Sequence, residues 1–318
     1  MTDTNKGYVP TGPLDPVAEQ IAGFFSTDPG WNALKTTPLD QTRAAMRAAT
    51  QMTGEPTMEH VEDFSLPVAG GDIALRLYRP TARPKAIIVW AHGGGFALGS
   101  LDEIDNFCRL LAAKTESAVV SVEYRLAPEH RFPTAVEDVL AAVLWVVDRQ
   151  AEIAGRTVPI AVGGDSAGAN LATVATRKLH EVGTARITAN MLAYPCTDHG
   201  GSETLRRFEA PFLGIGDVTW FLAQYQPDSA RNEDPDFAPR YAKTLGKLPP
   251  TLIITAEHDI ITEQAEGYGE QLRAEGVEVR TSRHPGMIHG FVTLDFFFQG
   301  AAGKAVDEMK DFIDHVAG

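Results

Sequence analysis

Three residues occur in an order that supports nucleophilic acyl chemistry: Ser166, then Asp259, then His289. A serine hydroxyl attacks a carbonyl only when three conditions are met. A base must take its proton, an acid must orient that base, and N–H donors must hold the oxyanion. Ser166 lies in Gly164-Asp165-Ser166-Ala167-Gly168. This Gly-x-Ser-x-Gly spacing belongs to a strand-to-helix turn too sharp for side chains at its flanks, and it projects the serine above the sheet edge. The amide of Ala167 then opens a helix, where the backbone favours negative charge.

The remaining donors are expected in His92-Gly93-Gly94-Gly95, where three glycines leave successive amides bare. Gly94 and Gly95 are the first choice and Gly93 the third candidate, while His92 is expected to anchor the loop. For the base, His289 lies in the loop after the last expected strand, and His284 is the nearest rival, before Pro285. For the acid, Glu257 and Asp259 compete. Extended geometry puts both on one side of a strand, so parity does not separate them. Asp259 has already entered the loop that must approach His289, which favours it. A metal held by His258, Asp259, His284 and His289 has no helical two-histidine motif behind it, so no metal is expected.

These residues need a sheet whose strands end together. Apolar runs at 86–91, 119–124, 159–162, 187–194, 251–256 and 278–282 read as strands. Helical spacing appears at 102–115, 133–148, 169–182 and 263–275, and in a closing stretch with Ala305, Met309, Phe312 and Val316. Two further strands, 61–68 and 73–78, flank Ala69-Gly70-Gly71-Asp72, a hairpin signal. The alternation predicts an α/β fold: a mostly parallel sheet of about eight strands with helices on both faces. Ligands of such sheets bind beyond the carboxyl ends of the strands, where Ser166 falls. Residues 1–15 read as irregular. Two helices are expected before any strand, over 16–25 and 37–52, the second with Asp40 as its cap. The insertion 197–226 carries Phe208, Phe212, Trp220, Phe221 and Tyr225. Phe96, Phe212, Trp220 and Phe221 are the candidate pocket residues, although packing of a crossover helix accounts for such aromatics equally well.

The chain has 318 residues and a formal net charge of -14, with no Lys/Arg cluster, so a nucleic-acid partner is not expected. The first 15 residues are polar and show no signal peptide, and no apolar run reaches membrane-spanning length. A cytoplasmic protein without a membrane partner is the expectation. Two cysteines, Cys108 and Cys196, lack metal-site spacing.

Taken together, HGGGF at 92–96, EYRLAPEHRFP at 123–133, GDSAG at 164–168, AEHD at 256–259 and GMIHGF at 286–291 resemble the bacterial hormone-sensitive-lipase-like family of esterases. The resemblance runs from about residue 60 to the end. It implies an α/β-hydrolase core over 56–318 and a helical cap from residues 1–55 plus the insertion. It also implies no cofactor and a serine carboxylesterase of small-molecule esters with short to medium acyl chains. Its triad maps onto Ser166, Asp259 and His289, its oxyanion amides onto the glycine run and Ala167, and its acid turn, usually Asp-Pro-Leu, onto Asp259-Ile260-Ile261. It gives Arg125 and Glu129 a scaffold role in holding the glycine loop by charge-assisted hydrogen bonds, and Asp165 a role in stabilising the elbow. Relatives form dimers through the last strand and helix, so a homodimer is a further expectation. An amidase or deacetylase shares such a triad. A non-catalytic receptor on the same fold, as in the plant gibberellin receptors, lacks the catalytic histidine, which is present here as His289.

Overall fold

The computed structural model describes residues 8–183, 187–200, 203–206 and 208–317; the irregular start expected at 1–7 lies outside them, as do 201, 202 and 207 of the insertion. The strands are β1 (His60–Val68), β2 (Gly71–Arg79), β3 (Ile87–Ala91), β4 (Ala118–Glu123), β5 (Ile160–Asp165), β6 (Ile187–Ala193), β7 (Thr251–His258) and β8 (Val279–Ile288). They form one sheet in the order β1-β2-β4-β3-β5-β6-β7-β8. The β1–β2 hairpin is antiparallel to its neighbours and every later pairing is parallel. Its turn is Ala69-Gly70 alone, because Gly71 and Asp72 already pair with Val68 and Pro67.

The helices are α1 (Pro16–Thr27), α2 (Pro29–Asn32), α3 (Leu39–Ala49), α4 (Asp105–Thr115), α5 (Thr134–Asp148), α6 (Gln150–Ala154), α7 (Ala167–Glu181), α8 (Ile215–Tyr225), α9 (Thr262–Ala274) and α10 (Gln299–Ala317). Helices α4 and α10 pack together on one face of the sheet, and α5 and α7 on the other. Helix α9 joins the second group through Thr173 and Tyr268, whose hydroxyls lie 3.0 Å apart. All residues of β3 and β5 are buried, as expected of parallel strands covered on both sides.

Two further local expectations are corrected. Helix α3 starts at Leu39 after Pro38, so Asp40 lies in the first turn rather than at the cap. Its charge still suits the positive end of the helix. Strand β8 continues well past Ser282 to Ile288, which puts His284 and Pro285 inside it. Proline is tolerated there because β8 is an edge strand, paired only with β7. The short helices α2 and α6 carry too little periodicity to have been read from sequence.

Candidate active site

The serine stands at the β5–α7 junction. Its backbone adopts φ 54°, ψ −118°, a strained conformation for a residue with a side chain. Gly164 and Gly168 make that geometry possible. A Cβ on Gly164 would lie 2.5 Å from the Ala91 carbonyl oxygen, and one on Gly168 would run into the same atom. The Ser166 amide is held by the Ala193 carbonyl of β6 at 2.9 Å.

His289 follows β8 directly. Its Nε2 lies 2.9 Å from Ser166 Oγ and its Nδ1 2.7 Å from Asp259 Oδ2. Asp259 is fully buried at the end of β7. Its second oxygen accepts the Ile261 amide at 3.0 Å, so the turn is fixed by an Asx-type bond where the family commonly has proline. The structure therefore brings Ser166, His289 and Asp259 into one relay. It places Glu257 elsewhere. That carboxylate accepts the amides of Gly286 (2.8 Å), Gly12 (2.9 Å) and Thr11 (3.2 Å), clamping the segment before α1 to β8. Those amides, Gly286 foremost, hold its carboxyl below the usual glutamate range.

The glycine loop lies opposite the serine. The Gly93 amide donates to Asp165 Oδ1 at 3.0 Å, so this third donor candidate already has an acceptor. The amides of Gly94, Gly95 and Ala167 have none among the described residues. Asp165 also accepts from Trp90 Nε1 (3.3 Å) and Thr293 Oγ1 (3.3 Å), so it ties the elbow to the glycine loop and to the segment after His289. Burial pushes its carboxyl up, against these donors. The Tyr124 hydroxyl donates to the His92 carbonyl at 2.8 Å, and the His92 ring stacks on Tyr124, so His92 is packed as an anchor.

Arg125 and Glu129 do not hold this loop as expected. Arg125 forks onto Asp138 of α5, at 2.9 and 2.6 Å. Glu129 accepts from Arg43 of α3, which also donates to the Ala97 and Ala127 carbonyls. Arg43 is the residue that joins α3 to the loop, and sequence gave no signal for it beyond a charge on a helix.

A cavity of about 810 Å³ opens over Ser166 and His289. Phe96, Phe212 and Phe221 line it, and Trp220 does not. Successive helical positions point about 100° apart. Phe221 faces the cavity and is buried in a small cluster with Leu34, Ala97 and Leu98, against whose outside Trp220 packs. The Phe221 ring lies directly on Gly95, leaving no room for a side chain there. Sequence reasoning missed Phe25, Trp31, Leu294 and Phe297, which also line the cavity. Trp31 stacks on Phe212 with centroids 5.2 Å apart, and Phe25 meets both rings edge-on. Phe24 and Phe25 end an apolar helical stripe, the one signal that could have marked α1 as a cavity wall. Cys196 also reaches the cavity, and burial pushes its thiol up to about 12, away from the reactive thiolate. Both cysteines are free.

The sheet order, the elbow and the buried relay are those of an α/β-hydrolase. A family model described as alpha/beta hydrolase fold matches residues 88–293. A Mycobacterium tuberculosis protein named carboxylic ester hydrolase LipN is 38% identical over 274 residues, covering 83% of this chain and 72% of that one. An ethyl acetate hydrolase from Pseudomonas putida is 33% identical, over 76% of this chain and 78% of its own. A hyperthermophilic esterase from the archaeon Pyrobaculum calidifontis superposes with a TM-score of 0.88 at 34% identity, covering 96% and 99% of the two chains. The chain belongs to the hormone-sensitive-lipase-like family of α/β-hydrolase esterases. It acts on carboxylic esters. None of its described helices is long and apolar enough to cross a membrane.

Proposed function

We propose that Ser166, His289 and Asp259 are the catalytic triad of a serine carboxylesterase for short- to medium-chain acyl esters. The observation that carries this reading is the unbroken relay, 2.9 Å from Ser166 Oγ to His289 Nε2 and 2.7 Å from Nδ1 to a fully buried carboxylate. Ser166 Oγ attacks the ester carbonyl while His289 Nε2 takes its proton. Asp259 keeps the other imidazole proton on Nδ1 and stabilises the imidazolium. The oxyanion is held by the amides of Gly94, Gly95 and Ala167, since the Gly93 amide is committed to Asp165. The proton then passes to the leaving alkoxide and the alcohol departs, leaving an acyl-Ser166 ester. Water, activated by His289, cleaves it to acid and free serine.

Helices α1–α3 and the insertion carrying α8 act as the cap, over residues 1–55 and about 197–226. A cavity of about 810 Å³ is within the range of small-ligand sites, roughly 300–1,000 Å³. Its aromatic walls suit a compact acyl group, and the related ethyl acetate hydrolase is named for a small ester. The test is kcat/KM across p-nitrophenyl esters from acetyl to palmitoyl, with mass spectrometry of the acylated enzyme. A maximum at eight carbons or fewer and acylation at Ser166 are expected. A maximum at twelve or more overturns the chain-length assignment, and acylation at another residue overturns the nucleophile.

A further inference from the structure

Away from the relay the cavity lining is mostly apolar. Its polar exceptions include Gln41, Thr42 and Thr50 on the α3 side and Ser100 and Glu103 in the loop before α4. Glu103 is half-buried. Its Oε1 accepts from the Ser100 hydroxyl at 3.0 Å, and its Oε2 takes no hydrogen bond from the described residues. The other lining carboxylates have structural duties. Asp28 caps α2 through the Trp31 amide, and Asp165 ties three loops together. Glu103 caps no helix and, among the described residues, closes no ion pair within 4 Å.

Burial raises the Glu103 carboxyl above the usual range, and the nearby Glu123 adds to this. His92, and Arg47 on α3, offset part of the cost. Arg47 also pairs with Glu123 at 3.8 Å. A carboxylate drawn out of water with a free oxygen gains from any donor that reaches it. Arg47, whose charge acts on Glu103 from outside the lining, disfavours a further cation beside it. A hydroxyl suits it better, because it donates a hydrogen bond to Glu103 without bringing a further positive charge.

We propose that Glu103, supported by Ser100, recognises a hydroxyl group carried by the ester away from the scissile carbonyl, so that the enzyme selects hydroxyl-bearing esters among those its cavity admits. The proposal rests on the Ser166-based reading and adds the substrate class to it. Hydrogen bonds to a charged group discriminate strongly against a partner that lacks the donor.

The test uses matched esters with four to eight carbons that end in methyl, hydroxyl or ammonium, varied on the acyl side and, separately, on the alcohol side. The readout is the hydroxyl-to-methyl ratio of kcat/KM, measured in the wild type, Glu103→Gln and Glu103→Leu. Taking the ratio within each variant cancels differences in folding or active-enzyme content. At one chain length or more, the wild-type ratio is expected to exceed that of Glu103→Leu by about tenfold, with Glu103→Gln in between. Equal ratios at every length and on both sides overturn the proposal while leaving the esterase reading intact. A Glu103-dependent preference for ammonium without one for hydroxyl overturns the hydroxyl assignment. If no ester in the set is turned over, the Ser166 reading fails and the proposal fails with it.

Discussion

Two walls of one cavity are built in opposite ways. At the β5–α7 junction every residue of the strand is buried, and the serine backbone is fixed by close contacts with Ala91 and a bond to Ala193. Across the cavity, α2 and α3 have no buried residue at all. They are held by the cluster of Leu34, Ala97, Leu98 and Phe221 and by the fork of Arg43. The first wall is over-determined and carries strain at Ser166. The second is anchored at a few points, and local opening free energies are lowest where few apolar contacts are buried. On the Ser166-based reading proposed above, the reactive groups sit on the rigid side and the surface meeting the rest of the substrate sits on the side that can adjust.

The sharpest way to break this contrast is at the serine. Ser166→Ala is expected to cut kcat by at least about 10⁴-fold while leaving the fold intact, with the oxyanion amides supplying what remains. Ester turnover by the folded variant and its thermal melt check this together, and retention of more than about a hundredth of kcat would place the nucleophile elsewhere.

Next in size is the pair of carboxylates on β7. Asp259→Asn should leave the imidazole in the wrong tautomer and lower kcat by roughly 10⁴-fold. Glu257→Gln should cost less than about tenfold, because that side chain binds backbone amides and not the histidine. Both are assayed on one short ester at one pH. The reverse order of losses would move the acid to Glu257.

A smaller effect is expected from the second wall. Trp31→Ala removes the ring stacked on Phe212. KM should rise up to about tenfold with kcat within about threefold, the pattern of lost uniform binding. A kcat loss as deep as that of Asp259→Asn would show that the exposed wall also positions the chemistry.

The smallest effect concerns stability against pH. Backbone amides, that of Gly286 above all, hold the folded Glu257 carboxyl below its ordinary value. The unfolded chain therefore binds that proton at higher pH than the native one. The stabilisation is fully present above the ordinary glutamate pKa of about 4.3 and fades as pH falls through the lower folded value. The Tm gap between wild type and Glu257→Gln should shrink between about pH 6 and pH 3. A constant gap would mean that the charge on Glu257 does not hold the clamp.

The same contrast explains what could be read from sequence. Ser166, Gly164 and Gly168 were legible because a tight turn admits few residue types, and buried parallel strands were legible as continuous apolar runs. Asp259 and His289 followed from the ends of those strands. The extension of β8 through Pro285 was hidden, since an edge strand tolerates a residue that argues against a strand. The cavity wall was largely hidden too. Phe25 and Trp31 lie on short or exposed helices whose packing depends on tertiary contact, and only helical phase separates Phe221 from its neighbour Trp220. Arg43 was a charge whose partner Glu129 lies far along the chain, and Arg125 pairs with Asp138 on the helix that follows its loop.

Asp165 has a practical consequence for anyone altering this enzyme. One side chain receives Trp90, Gly93 and Thr293, which come from three separate stretches of the sequence. A change at position 165 would reset the serine, the glycine-loop amides and the histidine segment at once, so its effects would not be separable by repair at any single loop. Apart from Arg43, which joins α3 to Ala97, Ala127 and Glu129, the described residues of α2, α3 and α8 offer no such shared hub. Variant libraries meant to retune substrate choice are best confined to those helices, with residue 165 held fixed.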